Sequence, residues 1–230
     1  MQEKQSTMRK FDTPAPVTAV MDLPAGRIRF IAADRADTTV EVLPADASKN
    51  RDVKAAERTE VVYGDGVLRI EAAEAKNQLF GASGSVEVTV QLPAGSHVEA
   101  KAAAAEFRGV GRLGDVVLEG AQGSVKLDEA DSVRLTLSAG DVSIGRLGGS
   151  GDISTQKGDL RIAEAVRGTV TLRTESGEIS VGAARGVSAT LDAGTSHGRI
   201  HNALKNSDGA AAQLDIHATT AYGDITARSL

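Results

Sequence analysis

The sequence predicts an all-β protein whose second half is a parallel β-solenoid, a β-helix or β-roll, preceded by a less regular β-rich part. Three observations carry this expectation. Glycines 123, 140, 158, 177, 198 and 223 recur at spacings of 17, 18, 19, 21 and 25 residues. Apolar and polar residues alternate on both sides of each of these glycines. The composition is 41% hydrophobic but only 3% aromatic, with no Trp, which suits thin layers of Val, Ile, Leu, Ala and Thr.

From the N-terminus, residues 1–9 read as a disordered lead-in. Residues 10–112 read as an irregular β-rich cap. In it, Leu23-Pro24-Ala25-Gly26 and Leu92-Pro93-Ala94-Gly95 each end one strand and release the next. Strands are expected near 17–23, 27–33, 38–43, 59–63, 66–72, 85–92 and 96–103. A short helix is expected over Ser48 to Arg58 with Ser48 as its cap, and a loop over Gln78 to Gly84.

Residues 113–230 read as about six coils. Three, five and seven residues before each repeating Gly stand inward-type residues such as Val133/Leu135/Leu137 and Val170/Leu172/Thr174. Two and four residues after it stand pairs such as Val142/Ile144 and Ile179/Val181. Period-2 alternation on both sides of a Gly means two short strands with one buried face each. Hairpins in a meander would also give strand-turn-strand units. However, corners such as Glu175-Ser176-Gly177 lack the two-residue hairpin signature, and the phase recurs. Stacking at about 4.8 Å then aligns like residues, so Thr155, Thr174, Thr195 and Thr220 are expected to form a column. The last coil, Leu214 to Ala227, is expected to offer an open edge for self-association.

Net charge is −5, and the acidity sits in the second half: 15 basic and 16 acidic residues up to 112, then 11 and 15. No basic patch appears, which argues against nucleic acid as a partner. No apolar run is long enough for a membrane-inserted helix or a signal peptide, so a cytoplasmic protein is expected. With no Cys, thiolate chemistry and disulfides are excluded.

The residue after the repeating Gly is acidic at Asp141, Asp159, Glu178 and Asp224, with Ser124 starting the row and Arg199 interrupting it. Stacked carboxylates could hold Ca²⁺, which makes Asp141, Asp159 and Glu178 the metal candidates. One carboxylate per coil supplies few ligands, however, and a solvated acidic corner is the simpler reading. His197 and His201 lie about 13 Å apart on an extended strand, too far to share a metal ion. Gly148-Gly149-Ser150-Gly151-Asp152 resembles a Ca²⁺-binding nonapeptide with its Asp one place early. No cofactor site and no catalytic set emerges.

The Leu-Pro-Ala-Gly turns and the repeated Ser-Gly-[Asp/Glu]-Ile-x-Val phrase resemble a bacterial β-strand-repeat family labelled "putative adhesin", a domain of unknown function. The resemblance spans about residues 10–228. It implies a right-handed parallel β-solenoid without established catalytic residues. The expectation is therefore a non-catalytic scaffold or adhesin-like interaction protein with an unknown protein or glycan partner. A carbohydrate-binding or carbohydrate-cleaving β-helix is the alternative.

Overall fold

The computed structural model describes residues 7–72, 84–207 and 211–230. The fold is all-β: among the described residues, seventeen strands join in one open hydrogen-bonded sheet system, with one helix. Residues 78–83 of the expected Gln78–Gly84 loop and residues 1–6 of the expected lead-in lie outside the described residues, whereas Thr7, Met8 and Arg9, expected in a disordered lead-in, begin the first strand, held by pairing with a later one.

The N-terminal strands are β1 (Thr7–Asp12), β2 (Thr18–Ala33), β3 (Asp37–Pro44), β4 (Thr59–Gly64), β5 (Val67–Ala72) and β6 (Val86–Pro93). Strand β7 (His97–Gln122) runs into β8 (Val125–Ala139). Antiparallel pairing joins β1 to β3, β3 to β6 and β4 to β5. Parallel pairing also occurs upstream of residue 113. The first arm of β2, Thr18–Asp22, lies between β5 and β7, and its second arm pairs with β6 and β7. Gly26 makes the corner, where a Cβ would stand 2.0 Å from the Val86 carbonyl oxygen.

Helix α1 spans Asn50–Arg58, and Ser48 does not cap it. The Ser48 hydroxyl donates instead to Asp46 Oδ1 at 2.6 Å, an Asx-type turn that competes with capping. Lys49 occupies the cap position without a side-chain bond. The buried carboxylate of Asp52 accepts the Ser85 N–H at 3.0 Å and so ties the helix to the start of β6.

In the C-terminal half each repeat is a rung of two short strands around a glycine corner. First arms are β10 (Gly151–Lys157), β12 (Gly168–Ser176), β14 (Ala189–His197) and β16 (Leu214–Tyr222). Second arms are β9 (Val142–Leu147), β11 (Leu160–Ala165), β13 (Ile179–Ala183), β15 (Ile200–Ala203) and β17 (Ile225–Ser229). All rung-to-rung pairing here is parallel and in the expected phase: Val133, Gly151 and Val170 align, as do Val142, Leu160 and Ile179.

The rungs do not stack in chain order. Strand β16 pairs with β12 on one side and β14 on the other. Likewise β17 pairs with both β13 and β15. The last rung is therefore interior, and the rung before it, β14–β15, is the open edge. This corrects the expectation that Leu214 to Ala227 forms the edge. The Thr column exists, but its spatial order is 155, 174, 220, 195. The connections supply the reason. Residues 166–167 suffice to climb one rung from β11 to β12. The chain spends residues 184–188 to skip a rung before β14, and residues 204–213 to step back into the vacancy.

Burial follows spatial order. Ile225 is 1% exposed, whereas its register partner Ile200 on the edge is 46% exposed. Deleting a buried Ile side chain to Ala costs about 2–5 kcal/mol. Urea unfolding of Ile225→Ala should show a loss in that range, while Ile200→Ala should lose about 1 kcal/mol or less. Chain-order stacking would reverse the two results.

Candidate functional site

The glycine corners are built from three interactions. First, the backbones approach closely: a Cβ at Gly158 would stand 2.1 Å from the Gly140 oxygen, and one at Gly177 2.0 Å from the Gly158 oxygen. Both glycines also have positive φ, 146° and 157°. No other residue fits there without moving a rung.

Second, the inward-column threonines serve that same oxygen. The hydroxyls of Thr174, Thr220 and Thr195 donate to the carbonyls of Gly158, Gly177 and Gly223, each at 3.1 Å. A buried hydroxyl needs such a partner, and the corner carbonyl provides it on the rung next in space.

Third, the acidic column bonds to the backbone. Asp141 Oδ1 accepts the Asp159 N–H at 2.9 Å, Asp159 Oδ1 accepts the Glu178 N–H at 2.8 Å, and Asp224 Oδ1 accepts the Arg199 N–H at 2.8 Å. All three acceptors are aspartates, short enough to reach a neighbouring rung without folding back. Arg199 does not interrupt this column. Because its rung is the outermost, it closes the column, and its guanidinium pairs with Asp224 Oδ2 at 3.1 Å. Among the described residues, no group of three or more His, Asp or Glu side chains converges on a metal-sized site. The metal candidates Asp141, Asp159 and Glu178 thus form one column, in which Asp141 and Asp159 knit rungs together.

The histidines are placed apart. His197 stacks on Tyr222, with ring centroids 4.7 Å apart and planes at 10°. His217 Nδ1 lies 3.5 Å from Asp192 Oδ2. His201 belongs to β15 on the other arm, beyond the Gly198 corner.

The site that sequence reading missed lies on the outer face of the first arms. A groove of about 390 Å³ runs across four rungs, lined by Asp115, Ser132, Arg134, Ser150, Asp152 and Thr169, among others. A smaller groove of about 160 Å³ continues it past Asp115 to His97 and Thr18. Its polar lining combines small hydroxyl side chains with charged ones. These groups are already engaged with one another. The Ser132 hydroxyl donates to Asp115 Oδ1 at 2.6 Å, the Asp115 N–H donates to His97 Nδ1 at 3.0 Å, and Arg173 lies 3.4 Å from Asp152. The groove was present in the glycine alignment. Eight residues before the corners stand Asp115, Ser132, Ser150 and Thr169, and six before stand Arg134, Asp152 and Thr171. The inward columns identify the fold, and the outward columns carry the surface.

A family model described as Toastrack DUF4097 matches residues 20–229. No curated protein matches the chain. A solved "putative adhesin" from Bacteroides fragilis is similar at 12% identity and a TM-score of 0.51, covering 98% of this chain and 98% of that one. A second "putative adhesin", from Parabacteroides distasonis, has 17% identity, covers 99% and 98%, and gives a TM-score of 0.45. A "putative lipid binding protein" from the same species has 12% identity, covers 97% of each chain and gives 0.44.

Two outcomes follow from the corner chemistry. Asp159→Ala leaves the Glu178 N–H without its acceptor and should cost about 1 kcal/mol in urea unfolding, while Asp159→Asn keeps an acceptor and should cost less. The second concerns acid. The Arg199 backbone N–H, followed by its guanidinium, lowers the Asp224 carboxyl below its ordinary range. Hydrogen bonds from Arg35 and Lys10 lower Asp37 to about 2. A depressed carboxylate stabilises the fold above its unfolded pKa, and that contribution is lost as pH falls through the folded value. Melting temperature should therefore fall between about pH 4 and pH 2, less steeply in Asp37→Asn and Asp224→Asn than in the parent chain.

Proposed function

Since the chain belongs to the Toastrack DUF4097 family, we propose that it is a right-handed parallel β-solenoid acting as a non-catalytic scaffold or adhesin-like interaction module. Its working surface in this reading is the outer groove of the first arms. The supporting observation is the state of the groove's polar groups. Asp115, Ser132 and His97 are bound to each other across rungs, and Asp152 to Arg173. Such a lattice presents fixed donors and acceptors at rung spacing, about 4.8 Å. Little side-chain entropy remains to be lost when an extended polar partner settles on it.

The same lining supports a second reading, carbohydrate binding or cleavage. Hydroxyl, carboxylate and guanidinium groups lie along an open groove. Its lining includes no aromatic side chain on which a sugar ring could stack.

Ser150→Arg places a large side chain in the groove and provides the test. The parent chain and the variant would be compared for retention by a panel of soluble polysaccharides and of extended polar peptides. Reducing-end release would be measured on the same polysaccharides. The scaffold reading expects binding without product, at least about tenfold weaker in Ser150→Arg, with stability lowered by no more than the loss of the Thr169 N–H bond to the Ser150 hydroxyl, about 1 kcal/mol. Product release that is lost in Asp115→Asn or Asp152→Asn would replace it with the cleavage reading.

A further inference from the structure

The unused hydrogen-bonding capacity of the outer groove is mainly that of a donor. Both carboxylates in its lining are already engaged. Asp115 accepts the Ser132 hydroxyl, and Asp152 lies 3.4 Å from the Arg173 guanidinium. Ser150 Oγ accepts the Thr169 N–H at 3.2 Å, so its own proton remains to be given. Among the described residues, no hydrogen bond or ion pair engages the side chains of Arg134, Thr169 or Thr171, which share this lining.

Register explains why Arg134 stands alone. It is exposed, and on one side it faces Val117, which has no acceptor. On the other it faces Asp152, whose carboxylate turns to Arg173 instead. A guanidinium carries five N–H donors and no acceptor, so only a partner can use it here. The acids collect at the other end, where Glu99 and Asp115 line the smaller groove with His97. Charge complementarity therefore places a partner's anionic group at Arg134, away from that end.

The position of the groove within the sheet narrows the partner further. Strands β8, β10 and β12 are each paired on both sides. A polypeptide lying across them cannot join as a strand, and its backbone N–H and C=O groups would meet only side chains. A sugar chain brings hydroxyls that both donate and accept at every unit. With no aromatic ring in the lining for a neutral sugar to stack on, the charged contact is the strongest one available.

From these observations we propose that the groove takes an acidic polysaccharide. A carboxylate of the chain sits on the Arg134 guanidinium through paired N–H bonds, and neighbouring sugar hydroxyls meet Ser150, Thr169 and Thr171. The inference rests on the groove being the working surface and adds the chemical class of its partner.

Isothermal titration calorimetry of the full chain with polygalacturonate, its methyl-esterified form and polyglutamate provides the test. The parent chain should bind polygalacturonate at least about tenfold more tightly than either of the others. Arg134→Gln should remove that preference and leave melting within about 2 °C, because Arg134 is exposed and unpaired. Ser150→Leu obstructs the groove without adding charge and should weaken polygalacturonate binding at least about tenfold. No binding of polygalacturonate, equal affinity for acid and ester, tighter binding of polyglutamate, or a preference that survives Arg134→Gln overturns the proposal. If Ser150→Leu still weakens binding in those last three cases, the groove remains the working surface and only the assigned partner falls. Binding that Ser150→Leu leaves untouched removes the groove itself, and the proposal with it.

Discussion

The whole C-terminal half depends on how closely one corner can lie on the next. Backbone stacked on backbone at strand spacing leaves no room for a side chain between Gly140, Gly158, Gly177 and Gly223. The turn must nevertheless satisfy its own donors and acceptors. The threonine hydroxyl supplies the corner carbonyl, and the aspartate carboxylate supplies the corner N–H. Glycine permits the approach, and the two polar side chains supply the hydrogen bonding that the strand ladder cannot. Everything between corners is ordinary alternation of apolar and polar residues over a shared core.

This explains why so much of the fold was legible in the sequence. The phase of Val133, Gly151 and Val170 was set by counting back from the glycine, and the register matches it. Most strands of the first half were also placed within a few residues, helped by the Pro-Ala-Gly turns, but β1 was missed because its first residues read as lead-in, and the strand expected to end at 103 runs on to Gln122. Spatial order was not legible. Counting along a chain yields neighbours in sequence, and a rung that enters between two earlier ones leaves its trace only in the length of the connections. Residues 184–188 and 204–213 carried that trace, yet as sequence they resemble any tolerated insertion.

The candidate site was half legible for a related reason. The acidic column drew attention through its charge, and a row of carboxylates suggests a cation. Its actual partners are backbone N–H groups, which no side-chain pattern displays. The groove was overlooked because Ser132, Ser150 and Thr169 are individually unremarkable. Their meaning lies in being small at the same outward position on consecutive rungs, with Asp115 and Arg134 in the same lining. Family membership extends across residues 20–229, from within β2 to the end of β17.

The late entry of β16–β17 has a bearing on synthesis. When residues 189–203 leave the ribosome, the place beside β12–β13 is empty, and their Leu-x-Ala-x-Thr pattern resembles the Ile-x-Ala-x-Thr of residues 216–220, although on the second arm Asn202 stands where the final segment brings the buried Ala227. The nascent chain must either hold its penultimate segment aside or seat it early and later give up the place. Maturation of this protein therefore includes a choice between two nearly equivalent tenants for one vacancy, decided only after the final segment has been made.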